Sequence, residues 1–110
     1  MLESDNILKI LLEAKEAIEK NDSAKLKELS NQTIHSSSIS QDGSNVAVAV
    51  IIYSLSKILE REEYREEKGW ANFYAILISS LDGSIGALKN DNEPGFKESL
   101  KKIREAIDKL

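Results

Sequence analysis

Along most of this chain the apolar residues recur every three or four positions, so each helix they predict has one apolar face and one charged face. Ser44–Glu60, S-N-V-A-V-A-V-I-I-Y-S-L-S-K-I-L-E, departs from that rule and carries apolar side chains on every face. One-faced helices need an apolar surface to cover, so this segment is expected to be a buried central helix.

Upstream, Ser4 or Asp5 suits the N-cap of a first helix reaching about Lys20, with Ile7, Leu8, Leu11, Ala14 and Ile18 on one face. Asn21-Asp22-Ser23 interrupts the pattern and supplies a cap for a second helix, in which Leu26, Leu29 and either Thr33 or Ile34 point inward. So short a connection makes the two helices antiparallel. From Ser30 to Asn45 the chain turns to serine, asparagine and glutamine, whose side chains compete with the backbone for hydrogen bonds. The second helix is therefore expected to fray there. Asp42-Gly43 reads as a turn, and Ser44 or Asn45 as the cap of the central helix.

Downstream of Leu59, E-R-E-E-Y-R-E-E-K keeps helix-forming residues but offers only Tyr64 as a large apolar side chain. This predicts a solvated extension ending near Gly69, with the like-charged pairs Arg61/Arg65 and Glu62/Glu66 lending it little support. Helical spacing returns over Trp70–Asn90, where Trp70, Tyr74, Leu77, Leu81, Ile85 and Leu88 form one stripe. A second stripe, Ala71, Ala75, Ser79, Asp82 and Gly86, is made of small residues that would permit close helix approach. Gly83 and Gly86 each cost about 1 kcal/mol relative to alanine inside a helix, which implies tight packing or a kink. Pro94 fits the first turn of a last helix, followed by Phe96, Leu100, Ile103, Ile107 and Leu110.

The pattern predicts an all-α fold: one domain over residues 1–110, a four- to five-helix antiparallel bundle in which 44–60 is flanked by two helical hairpins. The hairpins echo each other in sequence. Ala17–Asp22, A-I-E-K-N-D, precedes L-K-E-L-S, and Ala87–Asp91, A-L-K-N-D, precedes F-K-E-S-L. Two helix-capping turns that converged on favourable residues account for this, as does a duplicated hairpin.

Composition narrows the function classes. With 41% hydrophobic and 31% charged residues, one proline and five glycines, the chain belongs with folded helical proteins. A net charge of −4 argues against a dedicated nucleic-acid or anionic-membrane surface. No cysteine is present, which removes disulfides, thiolate catalysis and cysteine-held metals, and makes a cytoplasmic setting the expectation. The first residues carry acids where a secretion signal would be basic, so a mature chain starting at Met1 is expected. The apolar run Val46–Ile52 is shorter than a membrane span requires.

Candidate chemistry is sparse. His35, the single histidine, lies in the polar segment with Ser36, Ser37, Ser38 and Asp42, from which a serine–histidine–acid set can be drawn, but no nucleophile elbow accompanies it. A structural histidine at an unravelling helix end is the simpler reading. One histidine and no cysteine leave only oxygen-rich metal sites, and neither paired Glu-x-x-His motifs nor EF-hand spacing is found, so neither metal nor cofactor is expected. Asp42–Asn45 would aim free amides at an anion, yet both phosphate-loop patterns are missing and Asp42 opposes a negative ligand. Asp82 stands in an apolar helix, where facing solvent is the simpler reading; buried, it would be costly unless bonded, with Lys57, Tyr53 and Ser54 as candidate partners. The basic strip Lys97, Lys101 and Arg104 is interleaved with acids and reads as a solvated face.

In size and helix content the chain resembles the small archaeal and bacterial helical domains of toxin–antitoxin systems, including the ribonuclease-like HEPN group. That group's activity rests on an Arg-polar-x-x-x-His motif. No histidine follows Arg61, Arg65 or Arg104 in that pattern, and the family is not assigned. Two functional readings remain. The first is a non-enzymatic module for protein interaction or self-association, with Tyr64, Trp70, Phe73 and Tyr74 as interface residues. The second is a small-ligand-binding or hydrolytic protein whose site draws on His35, Ser38, Asp42, Lys57 and Asp82.

Overall fold

The computed structural model describes residues 4–37, 44–61 and 68–110. The Asp42-Gly43 turn, the solvated extension around Tyr64, and Ser38 lie outside these residues. Among the described residues, five helices and no strand make the protein all-α. They are α1 (Ser4–Glu19), α2 (Ser23–Ser37), α3 (Ser44–Glu60), α4 (Trp70–Lys89) and α5 (Glu93–Asp108), in the order hairpin, helix, hairpin. The chain divides into two compact units, residues 1–60 and 61–110.

In the first unit, the turn between α1 and α2 closes α1 and opens α2 in three residues. Asn21 adopts φ 60°, a left-handed conformation that asparagine tolerates better than most residues. This lets the Asp22 N–H donate back to Ala17 O at 2.8 Å and the Asn21 N–H to Ile18 O at 3.1 Å, a Schellman ending. Asp22 then serves as the next N-cap, its Oδ1 accepting from the Lys25 N–H at 3.0 Å. Folded back this way, α1 places Ile7, Ile10, Leu11, Ala14, Ala17 and Ile18 in the core, and α2 adds Leu26, Leu29 and Thr33. Of the two inward candidates on α2, Thr33 is the buried one and Ile34 is exposed. Thr33 can be buried because its hydroxyl donates to Leu29 O at 2.7 Å within its own helix. Ser30, 1% exposed, has no such partner for its Oγ.

The segment Ser44–Glu60 forms α3 over the full predicted span. It runs antiparallel to α2, since Lys27 near the start of α2 pairs with Glu60 at the end of α3. Val48, Ala49, Ile51, Ile52, Leu55, Ile58 and Leu59 are buried. Its burial is not all round, however. Val46, Val50 and Tyr53 are 50%, 54% and 47% exposed, because α3 packs chiefly along α2 and touches α1 less, which leaves an outer strip uncovered. Lys57 and Tyr53, named from sequence as candidate partners for a buried Asp82, both lie on this outer side.

In the second unit, α4 and α5 form a hairpin. Asn92 caps α5 with Pro94 in the first turn, its Oδ1 accepting from the Gly95 N–H at 3.1 Å. With the Asn92 amide in this position a Cβ on residue 95 would collide with it, so any other residue there would make that side chain shift. Gly69, expected as a helix stop, instead stands at the N-cap of α4 with an ordinary φ of −81°. The buried face of α4 is Phe73, Leu77, Ser80, Leu81, Ser84, Ile85 and Ala87, against Phe96, Leu100, Ile103 and Ala106 of α5. The expected small-residue stripe is rotated away from the contact: Ala71, Ala75, Ser79 and Asp82 are exposed and Gly86 half-buried, while Ser80 and Ser84 are buried and the close approach is at Gly83. A Cβ at residue 83 would sit 3.0 Å from Ser99 Oγ. Ser84 satisfies its buried hydroxyl by donating to Leu81 O at 2.8 Å. By length and composition α4 could cross a membrane, at a mean hydropathy of 1.2, but its packed face and central serines equally suit a core helix.

These environments separate three substitutions. At Gly86 an added Cβ meets nothing within 4 Å. Gly86→Ala should therefore raise stability by about 0.5–1 kcal/mol through helix propensity and unfolded-state entropy, while Gly83→Ala should gain less because Ser99 must shift. Ser30→Ala removes a buried hydroxyl that has no partner and should be neutral or stabilising by about 1 kcal/mol. Chemical denaturation of the three variants measures all of these values; a clear loss of stability in Ser30→Ala would mean that its hydroxyl is bonded.

Candidate functional site

The strip on α3 has the spacing of a helix-pairing seam. Val46, Val50 and Tyr53 follow one another by four and three residues, and Lys57 continues the series by four. Helical rise of 1.5 Å per residue makes it about 16 Å long. On α2, Ile34 is a further exposed apolar residue, at 50%.

A charged cluster closes one end of this strip. Lys27 Nζ lies 2.5 Å from Glu60 Oε1, Lys57 Nζ lies 3.9 Å from Glu60 Oε2, and Lys57 also sits 5.4 Å from the centre of the Tyr53 ring. The hydrogen bond from Lys27, aided by its charge and that of Lys57, holds the Glu60 carboxyl below its ordinary value. The same bond to Glu60, with its charge, raises the Lys27 ammonium. One carboxylate between two ammonium groups leaves the strip with a cationic end at Lys57.

The residues of the ligand-site expectation are placed as follows. His35 is exposed near the end of α2 and lines a shallow cleft of about 450 Å³ with Glu28, Asn31 and Gln32. Lys57 is absent from that lining and engages Tyr53 and Glu60 instead. Asp82 is exposed on α4 in the second unit, so its carboxylate stays hydrated rather than buried. Ser38 and Asp42 lie outside the described residues. Among the described residues no three His, Asp or Glu side chains gather as a metal site needs.

The aromatic residues of the interface expectation divide by burial. Trp70 and Tyr74 are half-buried, their ring centres 6.2 Å apart, while Phe73 is buried 5.4 Å from Trp70 and acts as a support rather than as exposed surface. Tyr64 lies outside the described residues. Sequence reasoning missed the α3 strip because apolar residues on all faces were read as all-round burial. A usable signal was present: Lys57 shares the register of Val46, Val50 and Tyr53, and a lysine seldom faces a core.

Compared with protein-family models, curated proteins and solved structures, the chain matches none.

The Lys27–Glu60 pair has a defined pH signature. Since the folded carboxyl titrates below 4.5, Glu60 contributes stability above that value and loses the contribution as pH falls through the lowered one. Lys27, raised above 10.5, contributes below 10.5 and loses its share as pH climbs through the raised value. Glu60→Gln should therefore change the unfolding midpoint little at neutral pH, where the exposed pair is screened, and flatten the acid limb below pH 4.5. Thermal unfolding of both chains across pH checks this; parallel acid limbs would remove the pair from the account.

Proposed function

We propose that this protein is a non-enzymatic helical interaction module that self-associates or docks a partner helix through the outer strip of α3. The observation that carries this reading is the regular exposure of Val46, Val50 and Tyr53. Single exposed apolar residues are ordinary on protein surfaces, but three at successive helical positions form a strip of the kind that marks contact surfaces. Aromatic and aliphatic side chains supply the buried centre of such contacts, and a lysine at the edge supplies orientation. Trp70 and Tyr74, half-buried in the second unit, are a secondary contact candidate. Absence of cysteine and the acidic balance support a cytoplasmic setting and a partner that is neither nucleic acid nor membrane.

Light scattering over a concentration series tests the self-association form. The wild-type chain should exceed its monomer mass of 12.3 kDa as concentration rises, and Val50→Glu should return it to monomer with unchanged helix content. A wild-type chain that stays monomeric throughout would sink this form of the proposal.

A second reading rests on the polar cleft beside His35, where Glu28, Asn31 and Gln32 offer donors and acceptors to a small polar ligand. Under that reading His35→Ala should abolish ligand binding or hydrolysis and leave the thermal midpoint in place. A large fall in the midpoint with binding intact would assign His35 a structural role.

A further inference from the structure

We infer that α1–α2 and α4–α5 are two copies of one helical-hairpin unit, repeated at a shift of 70 positions. The left-handed residues are Asn21 and Asp91, at φ 60° and 55°. Around them the backbone bonds repeat one for one. Lys20 N–H to Glu16 O at 3.0 Å matches Asn90 N–H to Gly86 O at 3.1 Å, and Asn21 N–H to Ile18 O at 3.1 Å matches Asp91 N–H to Leu88 O at 3.2 Å. Asp22 N–H to Ala17 O and Asn92 N–H to Ala87 O are both 2.8 Å. The caps agree as well: Asp22 Oδ1 accepts from the residue 25 N–H at 3.0 Å, and Asn92 Oδ1 from the residue 95 N–H at 3.1 Å.

The same shift, with no gap, pairs buried positions well away from the turn. Ile7, Leu11 and Ala14 correspond to Leu77, Leu81 and Ser84, while Leu26, Ser30 and Thr33 correspond to Phe96, Leu100 and Ile103. A shared turn geometry accounts for a shared buried face, but not for a match where neither cap nor core makes a demand. Glu28 and Glu98, both exposed and each preceded by a lysine, are such a match. In the first unit α3 is then the element added to the hairpin, and it is α3 that carries the exposed strip.

Interchangeability of the copies is testable in the full chain. In one chimera residues 87–95 are replaced by those of 17–25, leaving Phe96 in place; in a second the same positions receive residues 18–26, slipped by one. The in-register chimera should keep wild-type helix content and unfold in a single transition within about 10 °C of the wild-type midpoint. The slipped chimera moves the turn by one residue, turns the buried faces about 100° out of line, and should lose cooperative unfolding. Loss of cooperativity in the in-register chimera, or equal behaviour of the two, would overturn the inference.

Discussion

A single left-handed residue at the end of a helix is the constraint on which both units rest. An amphipathic helix of about sixteen residues is marginal alone in water, because its apolar stripe has nothing to cover. Reversing the chain within three residues brings a second stripe against the first while both are still short. Asn21 and Asp91 make that reversal by accepting a positive φ, and the residue after each has two tasks. Its amide closes the outgoing helix, and its side-chain oxygen caps the incoming one. Backbone groups that would otherwise end unsatisfied are thereby paired inside the turn.

That economy explains why the fold was legible. Asn-Asp-Ser and Asp-Asn-Glu-Pro are cap chemistry that needs no tertiary context, so the helix boundaries at residues 19–23 and 89–93 follow from local preference. What local preference could not supply was the angular position of a face. On α2 either Thr33 or Ile34 satisfied the spacing, and the larger apolar residue is the one left outside. Position 33 falls on the face already set by Leu26, Leu29 and Ser30, and the bond from the threonine to Leu29 O lets it be buried with no unpaired hydroxyl. On α4 the small residues read as a contact stripe are rotated away from the contact. Serine and glycine are scattered over that helix densely enough for two such stripes to be drawn, and only packing against Ser99 selects one.

The candidate site was less legible for a related reason. Hydropathy reports how much apolar surface a segment has, not how many neighbours will cover it. Read alone, α3 asked for neighbours on all sides. In the first unit it receives α2 along its length and α1 over part of it, and the remaining side is the strip. His35 and Asp82 were singled out because they are chemically rare in their surroundings, and rarity carries no information about convergence. Both are exposed, on different units.

The strip itself sets a limit on what it can contact. Val46 and Val50 offer branched, rotamer-poor side chains that lose little entropy on being covered, whereas Tyr53 keeps a hydroxyl that needs water or a partner. Lys57 holds the Tyr53 ring from one side, and Glu60 shares its charge between Lys57 and Lys27. A helix laid along α3 would therefore meet a dry surface at Val46 and Val50 and a hydrated, net positive one beyond Tyr53. Covering the dry end releases apolar area at no polar cost; covering Lys57 with another apolar residue would strand a charge. An occupant that fitted both ends would be apolar over two turns and acidic at the third, and this polarity would set its direction along α3 as well as its register.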